Sequence, residues 1–253
     1  MRHFISLTLL VAAELATPIL AQADSASPVR LELNLAATRL DLFRNDSLIA
    51  RFPVAIGRPS HPTPVGAFAV RSVEWNPWWI PPPSDWSRGE APRRPGPGNP
   101  MGRVKLNFRP LYFLHGTPDE ASIGTASSHG CVRLRNADAI ELAVAVMKAG
   151  LTATDSAEMT LLAADTTVTS TWVLDRPVPL AIVIRSIEVE RDTLYWFPNP
   201  YSRPAPPVAQ QVFDALRSRS PARVPDSSAV AAFVARATGA SKIPVRKLLR
   251  GLR

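Results

Sequence analysis

Residues 29–57 read VRLELNLAATRLDLFRNDSLIARFPVAIG. Apolar and polar side chains alternate through VRLELNL and TRLDLFR, the period of a strand with one buried face. Asn45-Asp46-Ser47 supplies a turn, and SLIARFPVAIG resumes the alternation. The segment therefore predicts a hairpin or meander with a polar outer face. Downstream, a turn-rich RPSHPTPVG (58–66) leads into a further strand candidate, AFAVRSVEW (67–75), and VKLNF and LYFLHG (104–116) repeat the pattern. After a polar connection comes a short strand-like CVRL (131–134).

Two segments break the β rhythm. Residues 76–102, NPWWIPPPSDWSRGEAPRRPGPGNPMG, hold eight prolines and three of the six tryptophans, with neither helical nor strand period. Tryptophan is depleted in disordered chains, so this span reads as a packed loop over a groove. From Asn136 to Lys148 the apolar residues Ile140, Val144 and Met147 fall at helical spacing, which predicts one central helix capped by Asn136 and stopped by Gly150. Residues 159–197 (EMTLLAAD, TVTSTWVL, PLAIVIRSIEVERDTLYWF) return to β-like runs, and two helical stretches, 208–218 and 227–238, close the chain. The order of elements predicts a mainly β domain over 24–203, one central helix, and a basic, partly helical tail over 204–253.

The chain has 253 residues, 46% hydrophobic and 20% charged, which suits one substantial core and excludes a disordered protein. Its net charge of +8 is unevenly placed. Residues 203–253 carry ten Arg or Lys against two acids, whereas residues 1–202 hold 19 of each sign. The main domain is thus neutral, and no nucleic-acid partner is expected. Residues 1–23, MRHFISLTLLVAAELATPILAQA, combine Arg2 and His3, an apolar stretch and a closing Ala-Gln-Ala. They read as a cleaved export signal, with the mature chain starting near Asp24. Glu14 and the short apolar run argue against a retained anchor.

An exported chain with a single cysteine forms no internal disulfide, and no cysteine-based zinc site or other cofactor is expected. Cys131 follows Ser128-His129-Gly130, sixteen residues after His115 at the end of an apolar strand. An imidazole beside a thiol can take its proton and release the nucleophilic thiolate. Gly130 lets the backbone turn tightly, so that nearby amides can converge on an oxyanion. The tryptophans Trp78 and Trp79 could stack on substrate or simply pin the loop.

The strings HGT (115–117), S-x-G (122–124), SHGCVRL (128–134) and N-x-D-x-x-x-L (136–142) together resemble the signature of the L,D-transpeptidase catalytic domain, the YkuD-type cysteine enzymes of bacterial peptidoglycan. TPVG (63–66) and NPMGRVKLNF (99–108) resemble that family's flanking strings. WNPWWIPPPSDW and PVPLAIVIRSIEV…YWFPNPYSR resemble its extended murein class. The resemblance implies a β-sandwich catalytic domain. It implies Cys131 as acylated nucleophile, His115 as base, the Gly116 carbonyl orienting the imidazole, and Ser128, His129 and Gly130 shaping the site. Arg133 would hold the cysteine loop or meet a substrate carboxylate. The implied partners are peptidoglycan stem peptides in the periplasm or cell envelope, with the basic tail available to an anionic envelope surface. Transfer to an amine, hydrolysis by the same site, and an inactive wall-binding module remain alternatives at this level.

Overall fold

A computed structural model describes residues 29–202, 206–219, 226–236 and 242–245. The export signal expected at 1–23 and the mature start near Asp24 lie outside them. Among the described residues no helix is long and apolar enough to cross a membrane. The strands run β1 (Val29–Asn34), β2 (Arg39–Arg44), β3 (Ser47–Pro53), β4 (Ile56–Gly57), β5 (Gly66–Trp75), β6 (Val104–Arg109), β7 (Tyr112–Thr117), β8 (Ala126–Ser128) and β9 (Val132–Arg135). Helices α1 (Asn136–Gly150) and α2 (Ser156–Ala164) follow, then β10 (Ser170–Val183), β11 (Ile187–Glu190), β12 (Thr193–Trp196), α3 (Val208–Arg219), α4 (Ser227–Arg236) and β13 (Lys242–Pro244).

The protein is mainly β. Hydrogen bonding joins eight strands into one continuous mixed sheet in the order β3-β2-β1-β10-β5-β6-β7-β9. The alternation seen in the sequence sets its faces: Val29, Leu31 and Leu33 of β1 and Leu40 and Leu42 of β2 are buried in one core with Val70, Val73 and Trp75 of β5. A bulge between Val173 and Val178 interrupts the pairing of the long strand β10 with β5, a device that bends a strand and sharpens its twist. Helix α1 packs against β6, β7, β9 and β10. Its buried Ala139, Leu142, Ala143, Val146 and Met147 repeat at three- and four-residue intervals.

Three readings of the sequence are corrected here. The segment from Glu158 to Ala164, expected to be β, is helical in α2. Asp155 caps that helix by accepting from the Ala157 amide at 2.8 Å, and Met159, Leu162 and Ala163 turn one face to the core. Asn136 is not the cap of α1, whose cap position is Arg135. Its side chain accepts the Arg103 amide at 2.9 Å and donates to the Thr117 carbonyl at 3.3 Å. Gly150 is the last residue of that helix rather than the residue beyond it, and the Leu151 amide closes the turn on the Met147 carbonyl.

The C-terminal stretches form helices α3 and α4 and belong to a second, smaller core. Val212, Leu216 and Val230 pack with Ile243, Val245 and, from upstream of the tail, Ile187 and Leu194. Strands β11, β12 and β13 make the antiparallel sheet of this satellite. Ion pairs join it to the main sheet: Arg39 reaches Glu188 at 2.8 Å, and Arg51 reaches Glu190 at 2.5 Å. Since Leu194 belongs to the satellite core, Leu194→Ala should lower stability by about 2–5 kcal/mol. Urea unfolding followed by circular dichroism checks the loss.

Candidate active site

Strands β7 and β9 pair in parallel, with Leu114 opposite Val132 and His115 opposite Arg133. This register brings the end of β7 alongside the cysteine loop that enters β9. His115 is buried, and its Nδ1 lies 2.7 Å from the Gly116 carbonyl. A carbonyl only accepts, so Nδ1 carries the proton and Nε2 keeps its lone pair. Gly116 is required by space: a Cβ there would stand 2.3 Å from Asn136 Oδ1.

The cysteine loop is tied down from several sides. Ser128 Oγ donates to the Cys131 carbonyl at 2.5 Å and accepts the Gly130 amide at 3.1 Å. Ser128 thus acts as a loop staple, and the Gly130 amide is already engaged rather than open to an oxyanion. Gly130 has φ of +109°, and a Cβ would fall 2.9 Å from the Tyr112 ring. Thr63 of the TPVG turn donates to the Gly130 carbonyl and accepts the Gly57 amide, both at 2.9 Å. Tyr201 Oη completes this support, donating to the Gly57 carbonyl at 2.8 Å and accepting the Thr63 amide at 3.1 Å.

Residues 76–102 form the opposite wall. Asn76 and Arg103 root the loop on the end of α2 and the α2–β10 connection, through the carbonyls of Ala163, Asp165 and Val168. Asn99 donates to the carbonyls of Pro77, Arg93 and Arg94. Trp79 is buried, pairs its backbone with Arg93 and lies under that guanidinium, whereas Trp78 is half-exposed on the cavity wall. Between this lid and the strands lies a cavity of about 490 Å³ that both His115 and Cys131 line. The remaining wall is mostly aromatic and proline on the lid side, with Lys105 and Arg133 on the strand side and no carboxylate. Arg133 pairs with Asp119 at 3.3 Å, and Lys105 with Glu74 at 2.6 Å.

Burial lowers the His115 imidazole to about 4, with the cations Arg133 and Lys105 adding to the shift. Burial also pushes the Cys131 thiol up to about 11, partly offset by the Phe113 amide bonding the sulfur and by Arg133 and Lys105. The thiol donates to the Leu111 carbonyl at 3.6 Å. Both shifts favour neutral imidazole and neutral thiol in the resting pair.

His129 faces a different set of partners. Its ring stacks on Trp86 at 4.0 Å, lies edge-on to His61 at 5.1 Å, and its Nε2 accepts from Arg58 at 2.7 Å. Sequence reasoning missed Arg58, His61, Trp86, Tyr112 and Tyr201. The turn string RPSHPTPVG was the available signal for the first two, since it places a His and an Arg just before Thr63. Among the described residues no group of three or more His, Cys, Asp or Glu is placed to hold a metal.

Residues 28–169 match the family model described as YkuD: L,D-transpeptidase catalytic domain. The putative L,D-transpeptidase YkuD of Bacillus licheniformis is 32% identical over 117 residues, covering 46% of this chain and 59% of that protein. The probable L,D-transpeptidase ErfK/SrfK of Escherichia coli K12 is 35% identical over 117 residues, covering 42% of this chain and 37% of its own length. The chain thus spans under two thirds of either relative. A crystal structure of L,D-transpeptidase 3 from Mycobacterium tuberculosis aligns at a TM-score of 0.43 and 14% identity, over 62% of this chain and 61% of that one.

Two outcomes follow from the electrostatics. Alkylation of Cys131 by iodoacetamide should keep accelerating towards pH 11, whereas an ordinary thiol levels off above about 8.5. Mass spectrometry of the single adduct reads the rate, and the urea-unfolded chain should revert to ordinary behaviour. As pH falls from about 6.5 towards 4, the unfolded chain takes up a proton at residue 115 that the folded chain refuses. Stability therefore declines across that window, and His115→Gln should flatten the decline in Tm measured between those limits.

Proposed function

Since the chain belongs to the L,D-transpeptidase catalytic-domain family, we propose that it is a cysteine acyltransferase acting on the stem tetrapeptides of peptidoglycan. The observation that carries this reading is the shared cavity. The lone cysteine and an imidazole whose Nδ1 is fixed on Gly116 line one cavity.

In the proposed reaction Nε2 of His115 takes the thiol proton as Cys131 Sγ attacks the carbonyl of the third-position diamino acid. The amide bond to the terminal D-alanine breaks, and the proton passes to the departing amine. An acceptor amine then attacks the thioester, its proton returns to the sulfur by way of His115, and a new amide forms. A second stem's diamino acid as acceptor gives a 3→3 cross-link; water gives L,D-carboxypeptidase activity from the same site. The cationic strand wall of Lys105 and Arg133 suits an anionic peptide, and the aromatic lid suits its apolar flank. The reading also places the protein outside the cytoplasm at the bacterial wall, with the basic C-terminal region turned to an anionic envelope surface.

Purified protein incubated with tetrapeptide muropeptides, followed by mass analysis, separates cross-linked dimer, D-alanine release and no reaction. Cys131→Ala should abolish all turnover, and His115→Ala should slow acylation by about 10²–10⁴-fold, both with unchanged circular dichroism. Turnover retained in Cys131→Ala would overturn the assignment.

A further inference from the structure

The lid is held over the cysteine loop by a clamp of four side chains. Trp86 sits in a short turn (Asp85–Ser87) folded by Ser87 Oγ, which donates to the Pro82 carbonyl at 2.5 Å. One face of its ring lies on His129, with centroids 4.0 Å apart and planes inclined by 14°. At the ring edge of His129, Arg58 donates from Nη2 to His129 Nε2 at 2.7 Å, and from Nε to His61 Nδ1 at 3.2 Å. Arg58 is itself fixed, its amide donating to the Ser128 carbonyl at 3.0 Å. The imidazole two residues before the nucleophile is thus gripped by a lid tryptophan and a backbone-anchored arginine.

Among the described residues no hydrogen bond joins lid residues 77–98 to residues 104–135. The Trp86–His129 stack is the directional contact across that gap. Both rings line the cavity that holds Cys131. The stack thus joins the lid and the cysteine loop at the wall of that cavity.

From this geometry we infer that Trp86 and His129 form a water gate that sets whether the acyl group on Cys131 passes to an amine or to water. The inference rests on the acyltransferase reading above and adds the determinant of its outcome. The thioester accepts either nucleophile by the same steps: the new C–N or C–O bond forms, the C–S bond breaks, and the nucleophile's proton returns to sulfur by way of His115. The ratio of water to bound amine at the thioester separates the two routes. A closed clamp keeps that ratio low while a peptide amine, held in the cavity, remains in place. Arg58 and His61 act as positioning residues, through His129 and not on the substrate.

The test is a partition ratio, which does not depend on how much enzyme is active. A disaccharide-tetrapeptide is incubated with wild type, Trp86→Ala, Trp86→Phe and Arg58→Gln, and mass analysis compares hydrolysed tripeptide with cross-linked dimer, while released D-alanine counts acylation. Trp86→Ala should raise the hydrolysis-to-transfer ratio by about three- to tenfold, the equilibrium worth of one ring stack. Arg58→Gln should raise it in the same direction, and Trp86→Phe, which keeps a ring on His129, should stay near wild type. D-alanine release with an unchanged ratio in Trp86→Ala overturns the gate alone, as does a Trp86→Phe ratio equal to that of Trp86→Ala. Absence of D-alanine release from wild type overturns the acyltransferase reading and the gate with it.

Discussion

The bond from Nδ1–H of His115 to the Gly116 carbonyl decides which ring nitrogen is left able to accept a proton. It is a local bond between neighbours, but three distant stretches of sequence hold it in place. A side chain at Gly116 would collide with Asn136 Oδ1, and one at Gly102 would stand 2.4 Å from the Gly116 carbonyl carbon. Asn136 in turn fills its oxygen with the Arg103 amide and its nitrogen with the Thr117 carbonyl. The strings around 99–103, 115–117 and 136 therefore meet at one point of close backbone approach. Their glycines and asparagine are dictated by space and hydrogen-bond satisfaction before any chemistry is considered.

Burial then sets the electrostatics. Desolvation disfavours both charged forms, holding the imidazole at about 4 and the thiol at about 11. Lys105 and Arg133 act oppositely on the two partners: their field favours a thiolate and opposes an imidazolium. A thiolate–imidazolium pair is thus disfavoured by burial. A carbonyl placed against the sulfur changes the balance, because charge leaving the sulfur is taken up on the carbonyl oxygen as the proton moves. A neutral Cys131 thiol is also less open to oxidation and to stray electrophiles, since both run through the thiolate.

Much of this was legible in the sequence, for identifiable reasons. Strands β1, β5 and β6 mostly alternate buried and less buried residues, so their period of two survives in the sequence. Cys131 and His115 stood out because the chain has one thiol and because the spacing of their motifs is specific. Helix α2 was misread because Glu158–Asp165 is short and apolar enough to pass for a strand, and only its packing on the core reveals the helical face. Asn136 looked like a cap because Asn-x-Asp before an apolar run is a cap signal. The structure uses its amide to join two loops instead. The Trp86–His129–Arg58–His61 clamp was not legible at all. Its members come from three loops without periodicity, and ring stacking leaves no spacing rule in a sequence.

The satellite recasts the basic C-terminal region. Read from charge alone, that region is a solvated appendage, yet its helices share a core with Ile187 and Leu194 from upstream of it. Its mooring to the main sheet is polar. Asp41 and Glu188 have largely buried side chains and are each matched by Arg39, while Arg51 spans Asp41 and Glu190. Desolvating such groups offsets most of their mutual attraction, so the network adds little net stability. Misalignment, on the other hand, would leave a carboxylate buried without its arginine, which is costly. The network consequently acts as a register: it admits one orientation of the satellite on the β1–β3 edge of the sheet.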